Sequence, residues 1–201
     1  MTEGAGLRDR LLRAAEDEIA EHGPVRASLR GIARRCGVSH QAVAHHFTDR
    51  AGLLTALAVE GFARLEQRAL DAVAGVGPDA GRQLAAAGTA YVEFASDQRS
   101  LFDLMFSGLL HADDPDLVAA RQRHRDFMVR TVAAAREAGW GMDVPAEELA
   151  AIGWAAVHGL VLLERDRVIS AVYPEVDLDE IFLRFVRALS PAARPVGSPG
   201  A

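Results

Sequence analysis

Apolar residues recur at helical spacing along almost the whole chain, and a period of two holds nowhere, so the sequence specifies helices packed on helices. Leu7, Leu11, Ala15 and Ile19 stand four apart, and Gly23-Pro24 follows as a stop. Ser28 caps a short helix carrying Leu29, Ile32 and Ala33; Gly37 breaks it, and Ser39 caps a next helix that runs to about Phe47. A long helix over about 50–74 puts Leu54, Leu57, Ala58, Gly61, Phe62 and Leu65 on one face, and Gly75-Val76-Gly77-Pro78 ends it. The same periodicity predicts helices over 80–95, 101–110, 116–138, 145–169 and 178–189. The fold class is all-α, with about nine helices. Residues 191–201, rich in Pro, Gly, Ser and Ala, are expected to be disordered.

Half of the 201 residues are hydrophobic and a quarter are charged, a globular balance with room for a small module fused to a larger one. The net charge of −6 argues against a nucleic-acid partner until its distribution is considered. Five arginines (26, 30, 34, 35 and 50) stand against Asp49 between Gly23 and Arg50, a local +4 that leaves −10 elsewhere. A basic stretch on an acidic chain suits a module that meets phosphates, although a solvated Arg face gives the same count. No lysine occurs, which reads as genome composition rather than a device. Arg8 and Arg10 with no apolar stretch exclude a signal peptide from the first twelve residues. The longest apolar run, 149–163, is interrupted by His158 and falls short of the ~20 residues of a spanning helix. Cys36 is the single cysteine, so no intrachain disulfide forms. A cytoplasmic protein is expected.

The informative stretch is 28–47, where two short helices flank a Gly-containing turn, the sequence form of a helix-turn-helix. Gly37 supplies a left-handed turn, Val38 plugs the corner, and Leu29, Ile32, Val43 and Phe47 make a small core. With the apolar positions of the second helix inward, His40, Gln41, Ala44 and His45 face outward and would enter a major groove. A helical hairpin for protein contacts is the bland alternative; it needs neither the Ser39 cap nor the local positive charge.

The order Leu11-Leu12-Arg13-Ala14-Ala15, Ser28-Leu29-Arg30-Gly31-Ile32-Ala33, Gly37-Val38-Ser39, His46-Phe47 and Leu53-Leu54 resembles the TetR family of transcription regulators over roughly residues 7–65. The resemblance implies a DNA-binding domain over 5–65, an effector-binding and dimerisation domain over 66–190, and a two-fold dimer on a palindromic double-stranded operator. Half-sites of such a dimer lie ~34–36 Å apart. It further implies DNA contacts at Arg30, Ser39, His40, Gln41, Ala42, Ala44, His45 and His46. Arg50 falls where the family usually has a phosphate-gripping Lys. At Ala44 the family usually carries an aromatic that meets the DNA backbone, so weaker binding is expected unless His45, His46 or Arg26 compensates.

Tyr91-Val92-Glu93-Phe94-Ala95, Leu101 to Phe106, and Trp154 with His158-Gly159-Leu160 resemble a subgroup of the family's C-terminal domains, although Ser100 stands where a proline is usual. This looser likeness implies an apolar effector pocket and a last pair of helices that forms a four-helix bundle with the partner. Ala155, Ala156 and Gly159 allow close helix approach, and 160–163 is apolar all round, so a partner or the monomer's own core must cover it. Pocket candidates are Phe102, Met105, Phe106, Phe127, Trp154 and His158; core packing, or for His158 a hydrogen-bonded core histidine, is the competing assignment for each.

Other chemistry has little support. His40, His45 and His46 lack the spacing of a metal pair, and Asp113, Asp114 and Asp116 read as a solvated loop and helix start. Cys36 beside Arg34 and Arg35 invites a lowered thiol pKa, against the simpler assignment of a small buried turn residue. There is no phosphate loop, dinucleotide fingerprint or nucleophile elbow, so no enzyme and no cofactor are expected. A ligand-responsive repressor is the expectation; an effector-independent DNA-binding regulator and a small-molecule-binding protein with no DNA role are the alternatives.

Overall fold

A computed structural model describes residues 6–140, 144–175 and 184. Among these residues there are nine helices and no strand: α1 (Leu7–His22), α2 (Leu29–Cys36), α3 (His40–Ala44), α4 (Arg50–Gly75), α5 (Ala80–Asp97), α6 (Arg99–Met105), α7 (Pro115–Glu137), α8 (Ala146–Arg165) and α9 (Val168–Val172). The helix expected over 178–189 and the tail over 191–201 lie outside the described residues. The described residues form two compact units: one reaches to Glu66 and includes Phe94–His124, the other comprises Gln67–Glu93 and the described residues from Arg125 onward.

The first unit holds α1 to α3, most of α4, α6 and the start of α7. Its core is the predicted apolar face: Leu11, Leu12, Ala15 and Ile19 of α1 and Leu53, Leu54, Leu57 and Phe62 of α4, with Leu101, Phe102, Leu104 and Met105 of α6. Gly61 is there for space. A Cβ at this position would lie 2.7 Å from Met105 Sδ, so a larger residue would have to displace the Met105 thioether where α6 meets α4. Phe106 meets Phe102 and Phe62 edge-on at 4.9 and 5.6 Å, and the His124 ring lies 6.0 Å from Phe62. Burial pushes the His124 pKa down to about 4, so the ring is neutral at physiological pH. Arg64 of α4 forks onto Glu16 of α1 at 2.6 and 2.9 Å.

The second unit has a smaller buried set, among it Ala90, Tyr91, Phe127, Val132, Leu149 and Val157. Its α8 is 20 residues long, longer than the apolar run that predicts it, and by length and composition alone it could cross a membrane. It carries a polar contact: the Tyr91 hydroxyl lies 2.7 Å from His158 Nδ1 and accepts from Trp154 Nε1 at 3.1 Å. Large apolar side chains of α8 nevertheless stay uncovered, Ile152 at 45% and Leu163 at 47% exposure.

Besides α3, which stops at Ala44 instead of near Phe47, two helix ends differ from the periodicity. The helix predicted over 101–110 stops at Met105, because the Ser107 hydroxyl turns back onto the Leu104 carbonyl at 2.9 Å and Gly108 follows. The helix predicted over 145–169 breaks at Asp166-Arg167, where Arg167 takes φ 54°, and resumes as α9.

Candidate nucleic-acid interface

Local chemistry fixes each corner of the α2–α3 motif. The Ser28 hydroxyl accepts from the Gly31 amide at 3.0 Å and the Ser39 hydroxyl from the Ala42 amide at 3.2 Å, so both helices begin with a satisfied donor. Gly37 sits at φ 66°, ψ 31°, and the Val38 amide closes the turn on the Ala33 carbonyl at 3.0 Å. Ile32, Val43 and Phe47 are buried beneath, while Leu29 and Val38 are half-buried. Regular helix in α3 ends at Ala44; beyond it the His46 and Phe47 amides both reach the Val43 carbonyl at 3.0 Å, a tightened last turn.

The outer surface is polar. Arg30, Ser39, His40, Gln41, Ala44, His45 and His46 are exposed, and Ala42 is half-buried. Thus the structure brings eight of the nine candidate DNA-contacting residues onto one exposed motif. Arg50 is the exception. Its Nε donates to the Ala27 carbonyl at 2.6 Å and its Nη2 to the carbonyls of Pro24 and, at 3.1 Å, Val25. The guanidinium ties the start of α4 to the α1–α2 loop, where a phosphate clamp would present it to solvent.

The local charge is also smaller than the count of arginines. Arg35 donates through Nε to Glu18 at 2.8 Å and through Nη2 to Glu21, so α1 neutralises it. Glu18 is the residue that sequence reasoning missed. At 2% exposure it lies on the core face of α1, accepts from Ser28 Oγ at 3.4 Å, and is held below the usual carboxylate range by the Arg35 hydrogen bond against the opposing effect of burial. A Cβ on Gly31 would fall 2.0 Å from its Oε1, so the glycine of α2 makes room for the carboxylate of α1. An acid three residues after Ala15 on an apolar face is the signal that could have found it. A second missed contact is His111, whose Nε2 lies 3.1 Å from Asp49 Oδ1 and whose amide donates to Thr55 Oγ1 at 2.9 Å. Cys36 does not have the lowered pKa its arginine neighbours suggest: burial pushes the thiol up, and Sγ donates to the Arg10 carbonyl at 3.3 Å.

The six pocket candidates divide between the units. Phe102, Met105 and Phe106 belong to the first, with Phe102 and Met105 fully packed. Phe127, Trp154 and His158 belong to the second, where the Trp154 and His158 rings lie 6.0 Å apart and share Tyr91. Burial lowers the His158 pKa and raises that of Tyr91.

The chain matches two family models: bacterial regulatory proteins of the tetR family over residues 11–57, and the tetracyclin repressor-like C-terminal domain over residues 84–189. A Rhodococcus sp. RHA1 protein of unknown function is similar in structure, with TM-score 0.80 and 33% identity over 93% of this chain and 95% of that one. A transcriptional regulator from the same organism has TM-score 0.70 and 28% identity over 92% and 96%. The TetR family transcriptional regulator PfmR from Thermus thermophilus shares the fold at TM-score 0.68 and 17% identity, over 93% and 100%. No match was found among curated proteins. Two family models in register with a capped, outward-polar helix-turn-helix identify the chain as a DNA-binding transcription regulator of the TetR family.

Proposed function

We propose that this regulator is a cytoplasmic, ligand-responsive repressor that binds a palindromic operator as a homodimer. The observation that carries the DNA reading is the exposed face of α3, polar along its outer side and anchored by Val43 and Phe47 beneath. His40, Gln41, Ala42 and His45 meet base edges or nearby phosphates, Arg30 and His46 meet phosphates or bases, Ala44 stands where an aromatic would meet the DNA backbone, and Ser39 holds the helix start. Arg50 acts as a positioning residue for the α1–α2 loop, because its donors already face three carbonyls. The domain limits follow the same reading: 5–65 for DNA, with the motif at 28–47, and 66–190 for effector and partner.

The uncovered apolar side chains of α8 supply the reason for a second copy: Ile152 and Leu163 would leave water in an isologous contact. For the effector, Trp154 and His158 combine ring surfaces with a polar handle at Tyr91, whereas Phe102 and Met105 act as core. Titrating the full chain against its own upstream DNA at several salt concentrations tests the proposal. Arg30→Ala should weaken every sequence alike and lower the salt slope by about one unit, while Gln41→Ala should change sequence preference. Variants that bind like the parent would remove α3 from the interface.

A further inference from the structure

We propose that the loop between α1 and α2 is a second DNA-contacting element: Arg26 takes a backbone phosphate beside the reading helix, and Arg50 acts behind it as the positioning residue. The inference rests on the reading that α3 meets DNA, and it adds a contact to that same site. From Ser39 to Phe47 no side chain is permanently charged, so cations for the phosphates that flank the groove come from neighbouring elements. Exposed Arg30 of α2 is one such cation. Four positions earlier, on the other side of the Ser28 cap, Arg26 is exposed as well. Among the described residues no carboxylate pairs with it.

The loop is built rather than slack. Gly23 takes φ 78°, and its carbonyl accepts both the Arg26 and the Ala27 amides at 3.2 Å. Arg50, the first residue of α4, donates through Nε to the Ala27 carbonyl at 2.6 Å and through Nη2 to those of Pro24 and, at 3.1 Å, Val25. Its acceptors therefore stand on both sides of Arg26. The backbone that carries Arg26 is tied in this way to the segment that directly follows the last turn of the reading helix. Ala27 is buried and Val25 is 75% exposed, so the inner side of the loop is anchored while the outer side faces solvent. The next acids along the chain, Glu21 before the loop and Asp49 after it, are both engaged. Glu21 accepts from Arg35, and Asp49 takes the Gly52 amide at 2.7 Å and His111 at 3.1 Å. An uncancelled guanidinium on a fixed backbone offers its planar fork to a phosphate with less ordering cost than one on a loose loop.

The experiment is fluorescence anisotropy of labelled mixed-sequence duplexes with the full chain, from ~50 to ~200 mM salt. Arg26→Ala should weaken binding roughly tenfold at ~0.1 M salt and lower the log–log salt slope by about 0.9 for each protomer bound. The loss should be equal for unrelated sequences and leave the melting temperature unchanged, and Arg26→Lys should restore most of the slope. Arg50→Ala should lose part or all of the same increment, because it releases the loop, and R26A/R50A should lose no more than R26A alone. An unchanged slope in Arg26→Ala overturns the proposal, as does a failure of Arg26→Lys to restore it; these two variants decide the contact whatever Arg50→Ala does to folding. A slope in Arg50→Ala equal to the parent's overturns the positioning role. So does a further loss of about 0.9 in the double variant, which would put Arg50 itself on a phosphate. Absence of binding by the parent at the lowest salt overturns the DNA reading beneath it, a distinct result.

Discussion

The α2–α3 motif and α8 are built in opposite ways. In the motif every turn is closed by a residue within a few positions: Ser28 and Ser39 cap, Gly37 turns, and Val43 and Phe47 sink beneath. Its outer surface is polar and needs nothing more. Helix α8 is regular over 20 residues yet leaves Ile152 and Leu163 half exposed, and its Trp154 and His158 depend on Tyr91, more than sixty positions away in sequence. A motif completed by itself and by the helix just before it in the chain can present its face to a ligand from outside; a helix with uncovered apolar side chains offers them to another protein surface.

That contrast can be broken first at α8. Replacing Ile152 and Leu163 together by aspartate should turn the proposed dimer into monomers in sedimentation, and should weaken operator binding about a hundredfold or more through lost avidity. A double variant that sediments and binds like the parent would show that α8 has no partner.

Next comes pH. Because His124 is buried neutral, with a folded pKa of about 4 against a usual 6.5, its contribution to stability is present above about pH 6.5 and is lost as pH falls toward 4. The slope is about 1.4 kcal/mol per pH unit across that window. Chemical denaturation of His124→Phe should lack this slope. Glu18 acts lower on the scale: its depressed pKa gives stability that is complete above the ordinary carboxylate range and is lost as pH falls through the folded value. Glu18→Gln should flatten that acid limb.

A smaller effect is expected where the two helices of the reading head interlock. Gly31→Ala should destabilise by about 2 kcal/mol, and Glu18→Ala in the same chain should recover part of the loss, a coupling measurable as a double-mutant cycle. Additive losses would show that the two side chains do not meet. Smallest of all, Ser39→Ala should cost about 1 kcal/mol and fray α3 without altering the oligomer.

The sequence is most legible where structure is decided by neighbours. Caps at Ser28 and Ser39, the turn at Gly37 and the face of α4 follow from local rules, and α1, α2, α4 and α5 begin and end near the predicted positions, whereas α3 stops at Ala44 short of Phe47. Helix ends set by a single side chain are less visible: Ser107 bonding its own helix and Arg167 in a left-handed conformation cannot be read from periodicity. The site divides likewise. Exposure of His40, Gln41, Ala44 and His45 follows from the position of Val43, but the occupation of Arg50 by loop carbonyls and of Arg35 by Glu18 and Glu21 depends on which elements approach in space. A count of arginines overstates the free positive charge for that reason.

The carboxylate of Glu18 seated in the gap at Gly31 has a consequence for anyone who would graft this reading head elsewhere. A chimera that borrows α2 and α3 but keeps another protein's first helix would leave Arg35 and Ser28 without their acceptor and an unfilled notch at Gly31. A chimera that keeps this first helix under a foreign α2 with any side chain at the Gly31 position would drive the Glu18 carboxylate against it. The smallest transferable cassette therefore starts before Glu18, and a swap made at the motif's own borders would fail for steric reasons unrelated to the bases being read.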